Sequence, residues 1–326
     1  MRGARYDQFG EPADVLRVED LPTPSAGPGQ VLVRMRLRPV NPSDLLTIRG
    51  FYGELPDLPA TPGNEGVGVV EAVGADVRGV EVGQRVIPVS TPGTWQELLV
   101  VQASNLVHPP PSISDESAAQ FFINPLWALI MLDKELALQP GDWLLQTAAG
   151  STLGRVVLQL AKVRKIRTIN VVRRREQAAE LKALGADEVI CTDDEDLAKR
   201  VMAITNGAGV PAAIEAVGGA VGGSVAQVLA PGGVMLVYGM LSLEHMPING
   251  GQMVWASSSL RGFWLANRFR PLPASEQQAL ISEVLDLMAG GDIVPPVDAT
   301  YELGDLAKAV RHAETSGRQG KVLLSS

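Results

Sequence analysis

Apolar and polar positions alternate over several short stretches in the first third of the chain. Residues 31–37 read Val-Leu-Val-Arg-Met-Arg-Leu, a period close to two that is typical of a half-buried strand. Residues 66–74, 85–89 and 96–101 form further short apolar stretches, bounded by glycine, proline or polar residues. Short strands separated by such turns predict a barrel-like β lobe.

The pattern changes near residue 112, where helical and strand-like segments begin to alternate. Ser114, followed by two acids, predicts a helix start, because serine caps helices and acids favour the first turn. Predicted helices cover 154–163, 176–184 and 275–289, and predicted strands cover 144–147, 168–172, 188–191, 212–217, 233–238 and 321–324. This alternation predicts a parallel, doubly wound sheet, and we expect the last strand to return to the first lobe.

Composition narrows the function classes. The 326 residues suggest two domains, and 46% apolar with 20% charged residues is typical of a globular protein. No apolar run reaches the roughly 18 residues of a membrane span, and the net charge of −8 argues against a nucleic-acid surface. The single cysteine, Cys191, excludes an intramolecular disulfide. Together with only three histidines, which are widely separated, it does not provide the ligand spacing of a zinc site. We therefore expect a cytoplasmic protein without membrane, nucleic-acid or metal partners.

The turn between the predicted strand 144–147 and the helix 154–163 is a candidate dinucleotide site. It consists of Ala148, Ala149, Gly150, Ser151, Thr152, Leu153 and Gly154. Small residues let the backbone approach a pyrophosphate at a helix N-terminus. The turn is not a full G-x-G-x-x-G, so an ordinary strand–helix turn is the alternative; the strand that follows favours dinucleotide binding.

Three consecutive cations, Arg173, Arg174 and Arg175, follow the predicted strand 168–172. Arg173 lies 19 residues after Gly154, where an acid would bond the ribose 2′-hydroxyl of NAD. A cation there accommodates the 2′-phosphate of NADP instead. The alternative is a solvated helix start, although three cations there oppose the helix dipole. The sequence thus predicts NADP(H) binding and hydride transfer.

Several short motifs, in order, resemble the medium-chain dehydrogenase/reductase superfamily. Its zinc-free trans-2-enoyl-CoA/ACP reductase branch of mitochondrial type is the closer resemblance, with a quinone oxidoreductase-like branch as the alternative. The motifs are Asn41-Pro42-Ser43-Asp44, Gly50-Phe51-Tyr52-Gly53, Gly63-Asn64-Glu65-Gly66-Val67-Gly68, Gly93-Thr94-Trp95, Asn124-Pro125, 148–154, 169–173 and Gly262-Phe263-Trp264-Leu265. The resemblance implies an α/β fold: a GroES-like, partly open β-barrel catalytic domain (1–112 and 268–326) plus a Rossmann doubly wound parallel sheet (113–267).

The resemblance also implies roles for single residues. Asn41 and Asn64 take the places of two metal ligands in zinc alcohol dehydrogenases, and neutral amides are poor zinc ligands, which implies metal-independent chemistry. Tyr52 takes the place of the family's proton donor or enolate partner, and Trp264 that of a tryptophan near the substrate thioester. We expect the two amides to bond each other or to support the cleft. The alternative for the amides is loop capping, and the alternative for the two aromatics is packing.

Further candidates complete the predicted cofactor site. They are Asn124, Tyr238, Gly239, Phe263 and Trp264. We expect a homodimer, because the late strand 234–238 would offer an edge for pairing in this superfamily. The leading function is NADPH-dependent reduction of 2-enoyl thioesters, and the alternative is reduction of quinones or α,β-unsaturated ketones. A silent NADPH-binding protein is the third reading, kept open by Thr152, which stands where the family usually has glycine.

Overall fold

The protein forms two compact units in this computed structural model, which describes all 326 residues. The first unit comprises residues 1–124 and 285–326, and the second comprises residues 125–284. This division is geometric, so the domain limits expected from the sequence stay a prediction. No helix is long and apolar enough to cross a membrane.

Fifteen strands and twelve α-helices make up the chain. The strands are β1 (Arg2–Arg5), β2 (Arg17–Asp20), β3 (Gln30–Pro39), β4 (Val67–Val73), β5 (Arg85–Pro88), β6 (Leu98–Gln102), β7 (Leu106–Val107), β8 (Trp143–Gln146), β9 (Arg167–Val172), β10 (Glu188–Cys191), β11 (Val210–Glu215), β12 (Leu229–Val237), β13 (Ser259–Gly262), β14 (Val297–Glu302) and β15 (Lys321–Ser325). The helices are α1 (Pro12–Val15), α2 (Pro42–Ile48), α3 (Asp115–Ala118), α4 (Asn124–Leu129), α5 (Thr152–Arg164), α6 (Glu176–Ala183), α7 (Leu197–Ile204), α8 (Gly219–Gln227), α9 (Gly250–Ala256), α10 (Leu265–Phe269), α11 (Ala274–Ala289) and α12 (Leu306–Glu314).

The first unit is built on a seven-stranded sheet. Its order is β14-β15-β3-β4-β5-β7, with β6 also paired to β3. Alternate residues of β3, among them Val31, Val33 and Met35, enter the core, while Arg34 stays exposed, as the period of two predicts. The C-terminal strand β15 pairs with β3 in antiparallel fashion, which confirms that the chain returns to its first lobe.

The second unit contains a six-stranded sheet in the order β10-β9-β8-β11-β12-β13, with every neighbouring pair parallel. Counted from β8 as the first strand, the order is 3-2-1-4-5-6, that of a dinucleotide-binding sheet. The predicted α/β fold is therefore confirmed. Such sheets bind ligands at the carboxyl ends of their strands, where the order reverses, here between β8 and β11.

One expectation about this sheet is wrong. The segment 234–238 was predicted to offer an edge, but its residues 234–237 belong to β12, which is paired on both sides, to β11 and to β13. The edge strands are β10 and the short β13. The sequence analysis did not predict β13, which has only four residues.

Candidate active site

The turn after β8 forms a helix N-terminus suited to an anion. Ser151 caps α5 by accepting a hydrogen bond from the Gly154 N–H at 3.1 Å, and the helix begins at Thr152, two residues earlier than expected. The N–H groups of Thr152 and Leu153 lie in the first turn, where a helix provides no internal acceptor. This end of α5 therefore presents N–H donors and a positive dipole to a ligand.

Close packing against backbone requires one glycine of this turn, Gly154, whereas Gly150 meets only the end of a flexible side chain. A Cβ on Gly154 would lie 2.4 Å from the Ala149 carbonyl oxygen, and one on Gly150 would lie 2.2 Å from Gln177 Nε2 on α6. Thr152 is 8% exposed, so most of its side chain lies inside the protein. The residue that departs from the family pattern is thus accommodated without opening the turn.

Arg155, which the sequence did not single out, ties this turn to the next helix. Its guanidinium is almost fully buried, donates to the Gly150 carbonyl at 3.1 Å and forms a two-point ion pair with Glu180 on α6. The pair holds the pKa of Glu180 below its usual range. Arg155 thereby fixes the glycine turn relative to the helix that follows the arginine run.

The arginine run lies at the carboxyl end of β9. Arg175 is the N-cap of α6, and its Nε donates to Asp194 Oδ2 at 3.0 Å. Exposed Arg173 and half-buried Arg174 form no ion pair within the protein. Two uncompensated cations thus stand next to the strand end where a dinucleotide-binding sheet receives the adenosine ribose.

Two further predicted residues, Tyr238 and Gly239, follow β12, and the neighbouring strand β11 ends at Glu215, which the sequence did not single out. Glu215 is fully buried and accepts hydrogen bonds from Thr147 Oγ1 and from the N–H groups of Val217 and Gly218, which fixes the loop after β11. Tyr238 follows β12, and burial raises the pKa of its phenol. A Cβ on Gly239 would lie 3.0 Å from the Ala216 carbonyl, so the backbones approach closely here.

The remaining predicted residues of the second unit lie around α10. Phe263 is buried and packs edge-on against Trp127, which also contacts Tyr238 in the same way. Trp264 is half-buried at the N-cap of α10. In the first unit, Asn124 is buried at the start of α4.

A buried polar network occupies the first unit, and it contains Asn41. Lys321 Nζ donates to Asn41 Oδ1 at 2.7 Å, and Asn41 Nδ2 donates to Glu65 Oε1 at 2.9 Å. The other Glu65 oxygen accepts from the Ile123 N–H at 2.8 Å. Both ends of the Asn41 amide are therefore occupied inside the protein.

Asp44 connects this network to Asn64. Its carboxylate accepts from the Asn41 N–H at 2.9 Å, as part of the capping box of α2, and from Asn64 Nδ2 at 2.6 Å. Of the two expected arrangements, the direct bond between Asn41 and Asn64 is not formed, because Asp44 lies between them; their support of the site stays a prediction. Asn64 alone in the network is exposed, and since its Nδ2 is held by Asp44, its Oδ1 is left as an acceptor.

Burial shifts the protonation of this network. Desolvation raises the pKa of Asp44 to about 6, raises that of Glu65 as well, and lowers the pKa of Lys321. The sequence drew attention to Asp44 and Glu65 only as parts of motifs and missed Lys321. No local signal marks Lys321, which lies 280 residues from its partner Asn41.

Tyr52 lies in the loop after α2, half-buried beside the exposed Phe51. Two glycines with positive φ, Gly50 at 82° and Gly53 at 64°, bracket the loop. These backbone conformations, which other residues rarely adopt, turn the chain sharply on both sides of the tyrosine. The loop thus presents Tyr52 from a short, well-defined bend.

The residues at positions 41 and 64 do not fit a zinc ion. Asn41 Oδ1 already receives the Lys321 ammonium, a cation that a divalent metal would displace, and Asn64 donates to a carboxylate. No group of three or more His, Cys, Asp or Glu side chains is arranged to hold a metal. The glycine turn and the free arginines, in contrast, fit a dinucleotide phosphate.

Comparison with known protein families gives two matches along the chain. Residues 27–111 match the alcohol dehydrogenase GroES-like domain, and residues 152–287 match the zinc-binding dehydrogenase domain. Together these matches span more than half of the chain. The first lies in the N-terminal part, and the second covers most of the strands and helices of the second unit.

Individual relatives are similar over nearly the whole chain. The mitochondrial enoyl-[acyl-carrier-protein] reductase of Bos taurus is 35% identical over 94% of this chain and 83% of its own. Among solved structures, a putative NADPH:quinone reductase of Bacillus thuringiensis is 38% identical with a TM-score of 0.94, covering 100% of this chain and 98% of its own. The Escherichia coli quinone oxidoreductase complexed with NADPH is 25% identical with a TM-score of 0.92, covering 100% of both chains.

Proposed function

The chain belongs to the medium-chain dehydrogenase/reductase superfamily, and we propose that it is an NADPH-dependent reductase of the C=C bond of 2-enoyl thioesters. The observation that supports NADPH as the cofactor lies at the end of β9. Two cations there, Arg173 and Arg174, have no ion-pair partner within the protein. The bovine relative, named as an enoyl reductase, supports the substrate class.

The second unit would hold the dinucleotide. The Thr152 and Leu153 N–H groups at the start of α5 would bind the pyrophosphate, and Arg173 and Arg174 the 2′-phosphate. Tyr238, Gly239, Phe263 and Trp264 follow β12 and β13, whose carboxyl ends form the remaining rim of the sheet. When bound, NADPH supplies the hydride that reaches the β carbon of the substrate.

The first unit would supply the proton. Reduction of a conjugated C=C also requires stabilisation of the enolate and a proton at the α carbon. We assign Tyr52 as the donor, since a phenol with a pKa of about 10 stays protonated at neutral pH. Asn64 would present its exposed amide to a ligand. Asn41 would act indirectly, through the buried network that positions Asn64.

Reduction of quinones or α,β-unsaturated ketones is the second candidate. The Bacillus thuringiensis and Escherichia coli neighbours, named as quinone reductases, favour it, and the fold and cofactor would be the same. This reaction would not require Tyr52 as an acid, which separates the two candidates. A silent NADPH-binding protein would bind the cofactor and turn over neither class of substrate.

A steady-state substrate screen tests the proposal. NADPH oxidation is followed with crotonyl-CoA, a longer enoyl-CoA, a quinone and a simple enone. We expect kcat/KM for an enoyl-CoA to exceed that for the quinone at least about tenfold, because a fitted thioester site discriminates by more than 1 kcal/mol. A quinone preference would establish the second candidate instead, and NADPH binding without any turnover would support a silent protein.

A homodimer remains part of the proposal, with a changed interface. The edge strand β13 offers unpaired backbone groups, and α9, which packs against β12, exposes Val254 (76%) and Trp255 (86%). An open edge beside exposed apolar side chains favours pairing with a second copy. The cytoplasmic location also stays a prediction, because the enoyl reductases among the relatives are named mitochondrial.

Light scattering after size exclusion tests the dimer. We expect the wild type to be dimeric and a Val254→Ser, Trp255→Ser double variant to shift toward monomer, because the apolar surface that a dimer buries is removed. Met202→Ser on α7, an exposed apolar residue far from β13 in the sheet order, is the matched control and should stay dimeric. A monomeric wild type would reject the interface.

A further inference from the structure

The acidic loop after β10 is fixed against the arginine run. Strands β9 and β10 are parallel, with Cys191 opposite Val172, so the loops that follow them emerge at the same edge. The Arg173 carbonyl accepts from the Cys191 thiol at 2.9 Å and from the Asp193 N–H at 3.3 Å. These bonds place four consecutive acids, residues 193–196, beside the proposed 2′-phosphate site.

Only one of these four acids forms an ion pair with the arginine run. Asp194 pairs with Arg175 at 3.0 Å. Glu195 accepts from the Cys191 N–H and pairs with Arg200, and Asp196 caps α7. The Asp193 side chain forms no ion pair. Asp193 and Asp194 are therefore adjacent exposed carboxylates, and of the two only Asp194 pairs with Arg175.

We propose that Asp194 is a specificity-determining residue for the dinucleotide: it acts as an internal counter-ion that occupies Arg175 and weakens the grip on the 2′-phosphate. The proposal rests on the proposed function, which places that phosphate at Arg173 and Arg174. Arg175 uses only its Nε in this pair, and both side chains are largely exposed, so the pair is weak and readily exchanged.

The physical reason is competition for charge. A 2′-phosphate carries nearly two negative charges, and a carboxylate paired with the arginine run, as Asp194 is, would repel it. Removing that charge leaves Arg175 free to bind the phosphate as a third cation. The ribose 2′-hydroxyl of NADH is neutral, so its binding should not respond.

Dissociation constants of NADPH and NADH, measured by fluorescence titration of the full-length protein, test this. For Asp194→Asn we expect the Kd of NADPH to fall about fivefold, or about 1 kcal/mol, with that of NADH unchanged. Asp193→Asn removes the same charge from the neighbouring position. It should change either Kd by less than about twofold, because Asp193 does not pair with Arg175. The difference between the two variants therefore measures the effect of the Arg175 contact.

Three outcomes overturn the proposal, and the first is an unchanged Kd of NADPH in Asp194→Asn. Weaker NADPH binding by Asp194→Asn would mean that Asp194 orients Arg175 for the phosphate, and an equal gain with Asp193→Asn would mean that only net charge matters. Failure of the proposed function is seen separately, in an Arg173→Ala, Arg174→Ala variant. If that variant keeps the NADPH preference of the wild type, the phosphate site itself is wrong; if it loses the preference while Asp194→Asn changes nothing, only the role of Asp194 fails.

Discussion

Replacing Tyr52 with Phe is expected to lower kcat for crotonyl-CoA about 100-fold or more, the usual size of general-acid catalysis. The change removes one hydroxyl from a half-buried ring and keeps the ring in place. Because the proton is delivered after cofactor and substrate have bound, the KM for NADPH should change little. The measurement is steady-state NADPH oxidation with enoyl-CoA and with quinone in parallel.

Tyr301→Phe is the matched control for this variant. Tyr301 is also half-buried in the first unit, but it lies on the outer strand β14. Its hydroxyl forms a hydrogen bond with His312 Nδ1 at 3.1 Å. It should retain wild-type turnover. Unchanged enoyl-CoA reduction by Tyr52→Phe would remove the acid assignment, and a loss confined to KM would indicate a binding role.

Replacing Lys321 with Met is expected to reduce the free energy of unfolding by about 3–5 kcal/mol, the usual cost of leaving buried charge without its partner. The ammonium is the cation that faces the buried carboxyls of Asp44 and Glu65 through Asn41. Urea unfolding measures the effect. Lys308→Met, which removes an exposed pair with Asp305, is the control and should cost less than about 1 kcal/mol.

The pH dependence of this loss separates a charge effect from a packing effect. Without Lys321 the folded-state pKa values of Asp44 and Glu65, already raised by burial, should rise further. A group with a raised folded pKa stabilises the protein at low pH and loses that contribution as pH rises through it. The variant should therefore lose more stability at pH 8 than at pH 5 relative to wild type; an equal loss at both would contradict the charge account.

Local patterns predicted several single elements, although α7, α8, α9, α10 and β13 were not predicted. Ser114 caps α3 as expected, and β10 has the predicted limits, because capping and strand periodicity act over a few residues. The turn at 148–154 and the arginine run were found by their spacing within one strand–helix–strand unit. The parallel order of the sheet followed from alternation of strands and helices, which is again a local signal.

Contacts between residues that are far apart in the chain could not be predicted from the sequence. Lys321 and Asn41 meet only because β15 returns to β3, and Asp194 meets Arg175 only because β9 and β10 are parallel neighbours. Arg155 reads as an ordinary helical cation until its pairing with Glu180 is seen. Periodicity reports which face of an element is buried, but it does not identify the partner across the fold.

The account depends on cations at the end of β9 that bind the 2′-phosphate of the cofactor. Calorimetric titration with 2′,5′-ADP and with 5′-AMP, which differ only in that phosphate, tests this without turnover. We expect the wild type to bind 2′,5′-ADP at least about tenfold more tightly, because charge-assisted hydrogen bonds contribute about 1.5–3 kcal/mol. Equal affinities for the two nucleotides would contradict the account.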